Sequence, residues 1–427
     1  MSVGTERRGK VLALGREPRS LLAVVRSLGR QGVDVDVGWS PESSPAVRSR
    51  YVRRVHDIPP FSQGDTRWKE ALLGLFESER YDLVIPCDDS AILPLQRHRG
   101  ELESAARIYL LSDRAFEVTS SKLATSALAR DLGIPVPREE VVEGTVAASA
   151  IAAEFGLPVV LKPHVSVGCD DVTSKRFVRK VYDAARLQAE LDELLSHGPV
   201  QVQQNVLGIG VGVEVMAERG ELLVAFQHER VHEPLLGGGS SYRRSAELSP
   251  ELTAATAALL KALDYTGVAM VEFKVERGTG RWVLVEINGR FWGSLPLAVA
   301  AGVDFPYYLY QLLIERRRSF PAGYRVGLYA RNWSRDAVWF LQNLRADRSD
   351  PTLMTVPLTR VLLELKHLLT LRERSDTFTL DDPLPGLAEI FSLLKKPWAK
   401  LARRLPKLRH EESLVRDRNL QEARSGR

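Results

Sequence analysis

The chain has 427 residues, which is too long for one hydrophobic core and predicts two or three domains. Its hydrophobic content of 44% and charged content of 26% are ordinary for a soluble globular protein. No apolar run approaches the ~20 residues that a membrane-spanning helix requires. The N-terminus, MSVGTERRGK, has no apolar signal core, and Cys87 and Cys169 suggest neither a disulfide framework nor a metal site. We therefore expect a cytoplasmic protein.

The net charge of +5 is concentrated at the C-terminus. Residues 391–427 contain 11 Lys and Arg against 4 Asp and Glu, a net charge of +7, so the rest of the chain sums to −2. This basic tail also carries Trp398 and several leucines. Two interpretations stay open: a solvated tail, or a segment that lies on an anionic membrane or an anionic partner. Regular aromatic residues are too few there to predict nucleic-acid binding.

The N-terminal part of the chain has the pattern of a parallel sheet covered by helices. A buried strand is predicted at residues 10–14, a helix at 20–30 and a second strand at 33–37, which together form a β-α-β unit. The turn after the first strand has one glycine and no G-x-G-x-x-G, so it does not predict dinucleotide binding. Asp88 and Asp89 follow a later buried strand, where they could bind a ligand or cap the next helix.

Lys162 ends a predicted strand, residues 159–161, that is apolar on both faces. A charged side chain in that position needs an anionic partner or a route to water. A nucleotide phosphate would supply such a partner, which makes Lys162 a candidate for phosphate binding.

Two Val-rich segments, residues 268–275 and 282–287, flank a segment with the Gly and Thr content of a turn and predict an antiparallel hairpin. Strand alternation places Glu286 and Asn288 on one face, and strand pairing can bring Glu272 beside them. Isolated strand glutamates usually face solvent, but acids on two paired strands followed by E-x-N-x-R favour a metal site. Two carboxylates and an amide oxygen suit Mg²⁺, which prefers oxygen ligands and shares its shell with phosphates.

The hairpin and its E-x-N-x-R ending resemble the metal-binding end of an ATP-grasp domain. Earlier segments match the family in the same order: Ser121-Lys122 before a helix and then LGIPVP, FGLPVVLKP around Lys162, and VQVQQNV before Gly208. The resemblance spans about residues 115–315. It implies a protein that binds ATP together with Mg²⁺ (or Mn²⁺).

The resemblance also implies a role for each matching residue. It implies that Mg²⁺ is held between the ATP phosphates by Glu272, Glu286 and Asn288. Lys122 and Lys162 would contact the phosphates, and residues 164–175 would cover them as a loop. Arg290 would stabilise the phosphoryl group during its transfer.

The predicted adenine-binding segment departs from the family pattern at two positions. Gln204 stands where the family usually has a glutamate for the adenine amine, and Gly210 stands where it has a glutamate for the ribose hydroxyls. Gln204 keeps an amide oxygen as an acceptor, and the backbone at Val206 is unaffected. The missing ribose acid puts the preference for ATP in question. Glu214 is a candidate replacement for that acid, or it lines the substrate side.

Residues 228–245, HERVHEPLLGGGSSYRRS, have the composition of a flexible surface loop. In ATP-grasp enzymes the corresponding stretch faces the second substrate. The resemblance therefore makes Arg230 and the backbone amides of residues 239–241 candidates for binding a carboxylate. The histidines here lack the spacing of metal ligands. His232 is a candidate general base.

Pattern and resemblance together predict an α/β and α+β protein with the ATP-grasp fold. The expected units are an N-terminal parallel-sheet domain at residues 1–114, an ATP-grasp domain with two lobes clamping ATP at 115–318, a helical C-terminal extension at 319–390 and the basic tail at 391–427.

The resemblance implies a carboxylate–amine ligase that forms an amide through an acyl phosphate and releases ADP and phosphate. Its partners would be a small-molecule carboxylate and an amine, without nucleic acid, and a homodimer is one expectation for its assembly. Two alternatives stay open. One is a carboxylase or carbamoyl-phosphate-type enzyme that activates bicarbonate, and the other is a nucleotide-binding regulatory protein without turnover.

Overall fold

The computed structural model describes residues 9–144, 146–163, 178–235, 239–350 and 352–395. Residues 164–175, which were expected to cover the phosphates, and most of the basic tail lie outside the described residues. The described part contains a parallel sheet near the N-terminus, a four-stranded sheet in a small lobe and a seven-stranded sheet in a large lobe.

The N-terminal domain is built on a parallel sheet, as predicted. Its strands, arranged β3-β2-β1-β4, are β1 Lys10–Leu14, β2 Asp34–Gly38, β3 Val52–His56 and β4 Leu83–Pro86. Its helices are α1 Pro18–Arg30, α2 Arg67–Glu79, α3 Asp89–Arg97 and α4 Arg99–Ala105, with a short 3₁₀ helix at Pro45–Arg48. Strand β4 is buried throughout, because helices cover both faces of a parallel sheet. The predicted β-α-β unit is confirmed by β1, α1 and β2.

Caps fix where two of these helices begin. Helix α1 begins at Pro18, before the predicted start, because the Glu17 carboxylate accepts a hydrogen bond from the Ser20 amide at 2.8 Å. Asp88 caps α3 by accepting from the Ala91 amide at 3.2 Å. Of the two roles that the sequence allows for Asp88, the structure shows the cap.

The small lobe, residues 139–204, is an antiparallel sheet with two helices. Its strands, arranged β5-β8-β6-β7, are β5 Glu139–Val142, β6 Val159–Pro163, β7 Arg179–Val181 and β8 Val200–Gln204. Its helices are α7 Ala148–Phe155 and α8 Ala184–Leu195, and the preceding α5 Asp113–Ser120 and α6 Lys122–Asp131 pack on the large lobe. The small lobe has a hydrophobic core of its own.

The large lobe contains the seven-stranded sheet. Its strands, arranged β13-β12-β9-β10-β11-β14-β15, are β9 Ile209–Glu218, β10 Glu221–His232, β11 Tyr242–Ala246, β12 Gly267–Val275, β13 Trp282–Asn288, β14 Tyr329–Arg331 and β15 Glu373–Ser375. Neighbouring strands are antiparallel except for β14 and β15. Its helices are α9 Pro250–Ala262, α10 Leu295–Ala301 and α11 Phe305–Tyr310, which continues as a π-helical turn at Gln311–Glu315.

The C-terminal extension is mainly helical, but it also completes the large sheet. Its helices are α12 Trp333–Arg345, α13 Leu358–Glu364, α14 Lys366–Leu369 and α15 Leu384–Lys395. Strands β14 and β15 come from this part of the chain and extend the sheet beyond β11. The extension is therefore joined to the large lobe by backbone hydrogen bonds.

The N-terminal domain and the large lobe share one hydrophobic core. Helix α1 packs against α10 and α11, and a single cluster of buried side chains includes Val11, Leu22, Trp292 and Phe305. Because core packing is dense and resists deformation, this shared core holds the end of β4 in a defined position beside the end of β13.

Among the described residues, no single helix is long and apolar enough to cross a membrane. Helix α10 and the segment Phe305–Glu315 pass that test only as a pair, which is bent by 89°.

Buried ion pairs attach the extension to the large sheet. Arg243 on β11 pairs with Asp376, and both side chains are 0% exposed. Arg331 on β14 pairs with Glu373 on β15 at 2.8 Å, and its guanidinium lies 3.7 Å from the centre of the Tyr242 ring. Since a buried charge without a partner is strongly unfavourable, these pairs favour the docked position of the extension.

Asp376→Ala should leave the buried Arg243 charge without its partner and lower the free energy of unfolding by about 3–5 kcal/mol. Urea unfolding followed by tryptophan fluorescence and circular dichroism measures this change. Asp65→Ala, which removes the partner of the exposed Arg67, is the control and should leave the unfolding curve unchanged. Equal small effects of the two substitutions would contradict a role for the buried pair in holding the extension.

Candidate active site

A cavity of about 1940 Å³ lies where the small lobe, the large sheet, the N-terminal domain and the extension meet. The predicted site residues that line it are Lys122, Lys162, Gln204, Val206, Arg230, Glu272, Glu286, Asn288 and Arg290. Residues predicted for phosphate, adenine and metal binding, although far apart in sequence, therefore share one cleft.

The three predicted metal ligands form one hydrogen-bonded group. Glu272 and Glu286 are paired directly across strands β12 and β13, which confirms the predicted hairpin. Asn288 Nδ2 donates to Glu272 Oε1 at 3.2 Å and to Glu286 Oε1 at 3.1 Å. Strand alternation accounts for Glu286 and Asn288 facing the same way, and strand pairing supplies Glu272.

Two lysines lie next to this group. Lys162 is 3% exposed, and its Nζ is 3.5 Å from the carbonyl oxygen of Val285. Burial lowers the pKa of Lys162 to about 8, with the Glu286 charge opposing this shift and the Lys122 charge adding to it. Burial would raise the pKa of Glu286, but Lys122 and Lys162 hold it below its usual value. Burial raises the pKa of Glu272.

The donor set fits Mg²⁺ that is shared with phosphate oxygens. Among the described residues, no group of three or more His, Cys, Asp and Glu side chains could form an all-protein metal cage. Mg²⁺ does not need such a cage, because it commonly takes one or two carboxylates and completes its shell with phosphates and water. The Asn288 amide, whose nitrogen now donates to both carboxylates, would have to turn its oxygen toward the cation.

Arg290 is held by the N-terminal domain. Its Nε and Nη2 donate to the two carboxylate oxygens of Asp89 at 2.7 and 3.0 Å, and its Nη1 donates to the carbonyl oxygen of Phe291 at 3.0 Å. Burial would lower the pKa of Arg290, but the Asp89 charge raises it above its usual value. Asp89 thus orients the guanidinium from a different domain, which strand patterns around residue 290 do not reveal.

Gly210 on β9 lies directly under the side chain of Arg230 on β10. A Cβ atom at residue 210 would lie 2.5 Å from Arg230 Cδ and 2.7 Å from Glu233 Oε1. Arg230 pairs with Glu233 at 3.2 Å and also with Glu272. A glutamate cannot occupy position 210 in this arrangement, because Arg230 and Glu233 fill the space above it.

Glu233 lines the cleft but did not emerge from the sequence patterns. It accepts hydrogen bonds from Lys274 Nζ at 2.7 Å and from the Gly210 amide at 3.2 Å. Burial would raise the pKa of Glu233, but Lys274 and Arg230 lower it to about 2. The local signal for it was a glycine inside a strand, which often marks the close approach of another segment.

Residues 201–330 match a family model described as ATP-grasp in the biosynthetic pathway with Ter operon. The fold is similar to that of N5-carboxyaminoimidazole synthetase from Staphylococcus aureus solved with ADP, with a TM-score of 0.59 and 14% identity over 76% of this chain and 82% of that one. It is also similar to L-amino acid ligase from Bacillus licheniformis, with a TM-score of 0.53 and 16% identity over 73% of this chain and 75% of that one. The chain therefore has the ATP-grasp fold, and residues 201–330 match an ATP-grasp family model.

A third similar structure is the biotin carboxylase domain dimer of Hydrogenobacter thermophilus 2-oxoglutarate carboxylase, solved with MgADP, ADP and bicarbonate. Its TM-score is 0.60, with 15% identity over 76% of this chain and 74% of the carboxylase chain. No curated protein matches the sequence. At these identities the structures define the fold of this protein, while its substrates have to be inferred from its own cleft.

His232 lies behind the cleft rather than on its wall. It is fully buried, with Nδ1 2.8 Å from Asp336 Oδ1 and Nε2 2.9 Å from Glu364 Oε2. Its ring stacks on Trp339 with the ring centres 3.4 Å apart. Burial would lower the pKa of His232, but the two carboxylates raise it. Because both ring nitrogens face carboxylates, the structure does not support the predicted general-base role.

Glu214 also lies outside the cleft. It is fully buried in β9, where its Oε1 accepts a hydrogen bond from Ser294 Oγ at 2.8 Å and lies 2.9 Å from His228 Nδ1. Gly212 leaves room for the His228 ring, since a Cβ there would overlap it. Glu214 therefore contacts the loop after β13 and is not placed to replace the ribose acid of the ATP-grasp pattern.

Gly210→Ala should force Arg230 and Glu233 apart and lower the free energy of unfolding by about 1–3 kcal/mol, the usual cost of overpacking. Urea unfolding of the variant measures this cost. Gly74→Ala is the control, because a Cβ in the middle of α2 meets open space and an alanine there should stabilise the helix slightly. If Gly210→Ala were as stable as the wild type, Arg230 and Glu233 would be able to move aside without lowering the free energy of unfolding.

The raised pKa of His232 predicts a pH-dependent stability. A histidine whose folded pKa is raised stabilises the fold fully below its unfolded pKa of about 6.5, and that contribution is lost as the pH rises through the folded pKa. The contribution of His232 to the free energy of unfolding should therefore fall with rising pH above about 6.5. Urea unfolding between pH 6 and 9 should show a weaker slope for His232→Gln. The difference between the wild-type and His232→Gln curves at each pH isolates the contribution of this side chain.

Proposed function

We propose that this protein is an ATP-dependent carboxylate–amine ligase that forms an amide through an acyl phosphate. The proposal rests on one observation, the convergence of Glu272, Glu286 and Asn288 with Lys162 and Arg290 in a single cleft. The family-model match and the fold, which the L-amino acid ligase shares, support a reaction of this type.

ATP would lie between the two lobes, with its phosphates toward Lys122 and Lys162. The adenine would lie against residues 203–207, which line the small-lobe side of the cleft. The residues that would hold Mg²⁺ (or Mn²⁺) are Glu272, Glu286 and Asn288. When bound, the ion would supply positive charge that neutralises phosphate oxygens. Similar structures solved with ADP and MgADP support binding of a nucleotide by this fold.

In the first step, a carboxylate oxygen of the acid attacks the γ-phosphorus of ATP, the bond from that phosphorus to the bridging oxygen breaks, and ADP leaves. Lys162 and Arg290 place positive charge beside the transferred group, and Asp89 keeps the Arg290 guanidinium in position before the reaction begins. In the second step, the amine nitrogen attacks the acyl carbon, phosphate leaves and the nitrogen loses a proton. Neither step requires a nucleophile from the protein.

A nucleotide-binding protein without turnover is the second candidate. Arg230 and Glu233 fill the space where the ATP-grasp pattern has its ribose acid, and this observation favours altered nucleotide recognition. Retention of the Glu272 and Glu286 carboxylates beside two buried lysines favours the ligase, because a fold without turnover has no need for that arrangement of charge.

The test measures ADP and phosphate release from the purified full chain with Mg²⁺-ATP and pooled carboxylic acids and amines. Bicarbonate replaces the acid pool in a parallel reaction. Release that depends on one acid and one amine supports the ligase and identifies both substrates, whereas dependence on bicarbonate supports the bicarbonate-activating alternative. ATP binding without release in any reaction supports the second candidate, and formation of AMP and pyrophosphate contradicts an acyl-phosphate mechanism.

Glu286→Gln should abolish ADP release while leaving the fold intact, because the amide removes one anionic ligand of the cation and one counter-charge of Lys162. The drop should be at least about 100-fold, the size of effect seen when a charged group that acts on the transition state is removed. Glu247→Gln, on the exposed loop after β11, is the control and should retain full activity. ADP release by Glu286→Gln at the wild-type rate would overturn the metal assignment.

A further inference from the structure

Two arginines from opposite ends of the chain meet at the wall of the cleft. Arg19 lies in the first turn of α1 and Arg335 in the first turn of α12, and both line the cavity. One belongs to the N-terminal domain and the other to the C-terminal extension. Neither has a role in the proposed binding of ATP or Mg²⁺. They are called the arginine pair below.

Arg19 is held against the loop that follows β13. Its Nε donates to Glu17 Oε1 at 2.7 Å, and its side chain is 9% exposed. A Cβ atom at Gly293 would overlap the Arg19 guanidinium, so the glycine leaves the space that the guanidinium occupies. Since Gly293 closely follows Arg290 in sequence, Arg19 stands beside the loop that carries the residue proposed to act on the phosphoryl group.

Arg335 faces the cavity, and 48% of its side chain is exposed. Its Nη2 is 4.0 Å from Glu17 Oε1, which is beyond hydrogen-bond range. The charge of Arg19, together with burial, lowers the pKa of Arg335 to about 10. The Glu17 carboxylate therefore lies near both guanidinium groups but accepts a hydrogen bond only from that of Arg19.

Other carboxylates of this wall are already engaged. Asp89 binds Arg290, and Asp88 accepts hydrogen bonds at 2.6 and 2.7 Å from two backbone amides of the turn before α1. Arg16, in the same turn, also lines the cavity. Asp376, whose charge also acts on both members of the pair, is itself paired with Arg243. Among the described residues, Arg335 therefore faces the cleft without a carboxylate in hydrogen-bond range.

We propose that the arginine pair binds an anionic group, a carboxylate or a phosphate, on a ligation substrate, and that this group is not the carboxylate that ATP phosphorylates. Guanidinium groups suit such anions because their paired N–H donors match two oxygens at once. The proposal rests on the ligase function and adds a substrate class to it. The substrate is a small molecule with an additional anionic group, such as an amino acid or a phosphorylated amine.

The position of the pair supports this assignment. The anionic end of the substrate would lie between α1 and α12, and its reacting end would extend past Gly293 toward Asn288 and Arg290. Because α12 belongs to the extension, the binding site is complete only when the extension is docked on the large sheet.

The first test measures binding of inorganic phosphate and of succinate to the full chain by isothermal titration calorimetry. Arg335→Gln should weaken binding of the preferred probe at least about tenfold, since a charge-assisted hydrogen bond to a carboxylate or phosphate is lost. Arg345→Gln, an exposed arginine at the end of the same helix, is the matched control and should bind like the wild type. Tighter binding of phosphate identifies a phosphate group, and tighter binding of succinate identifies a carboxylate.

Arg335→Lys separates the two properties of the side chain. It keeps the positive charge but removes the paired donors, so it should bind the probe with intermediate affinity. Circular dichroism confirms that each variant is folded before titration. Equal affinities for the wild type, Arg335→Gln and Arg345→Gln, or no binding of either probe to the wild type, would overturn the proposed anion site.

A second measurement distinguishes failure of this inference from failure of the ligase function. With substrates found by the ADP-release assay, Arg335→Gln should raise the KM of the anionic substrate and leave the KM of ATP unchanged. If ADP is released but anion binding is unchanged in Arg335→Gln, the ligase function is supported and the proposed anion site is refuted. If anion binding depends on Arg335 but no ADP is released under any condition, the anion site is supported and the ligase function is refuted.

Discussion

Charges buried in the cleft lie opposite counter-charges, and the arrangement of the active site depends on this pairing. Glu286 is half-buried near Lys122 and Lys162, and Arg290 is bound by Asp89. A charge taken out of water without a partner costs several kcal/mol, so each of these side chains restricts where the others can lie. In the proposed ligase this pairing preorganises the cleft for ATP and its cation, because the phosphates and the cation would replace the internal charge pairs with equivalent ones.

The N-terminal domain, the two lobes and the extension, which are distant in sequence, form the walls of the cleft. The shared core fixes the N-terminal domain against the large lobe. Helix α1 packs on α10 and α11, which places the turn before α1 beside the loop after β13. The extension adds β14 and β15 to the large sheet, and the buried pair of Arg243 and Asp376 holds it there. As a result, the Asp89–Arg290 contact and the arginine pair both cross boundaries between units that sequence patterns treat as separate.

The departure from the ATP-grasp pattern at Gly210 has a steric explanation. The absence of a side chain admits Arg230, which reaches both Glu233 and Glu272. The family's acid and this chain's pair of opposite charges are therefore alternative ways to fill the same part of the cleft. In the proposed ligase, recognition of the ribose would involve the Glu233 carboxylate. Because Glu233 is already paired with Lys274, it is a weaker acceptor than a free acid.

Local sequence determined the elements and much of the cleft. Alternation along two Val-rich strands was sufficient to predict that Glu272, Glu286 and Asn288 converge, because strand geometry repeats every two residues. Tertiary structure alone decided that His232 and Glu214 are buried elsewhere, that Asp89 holds Arg290, and that Glu233 fills the space above Gly210. Those contacts join residues from different strands, helices and domains, and they depend on how whole elements pack rather than on any periodicity within one of them.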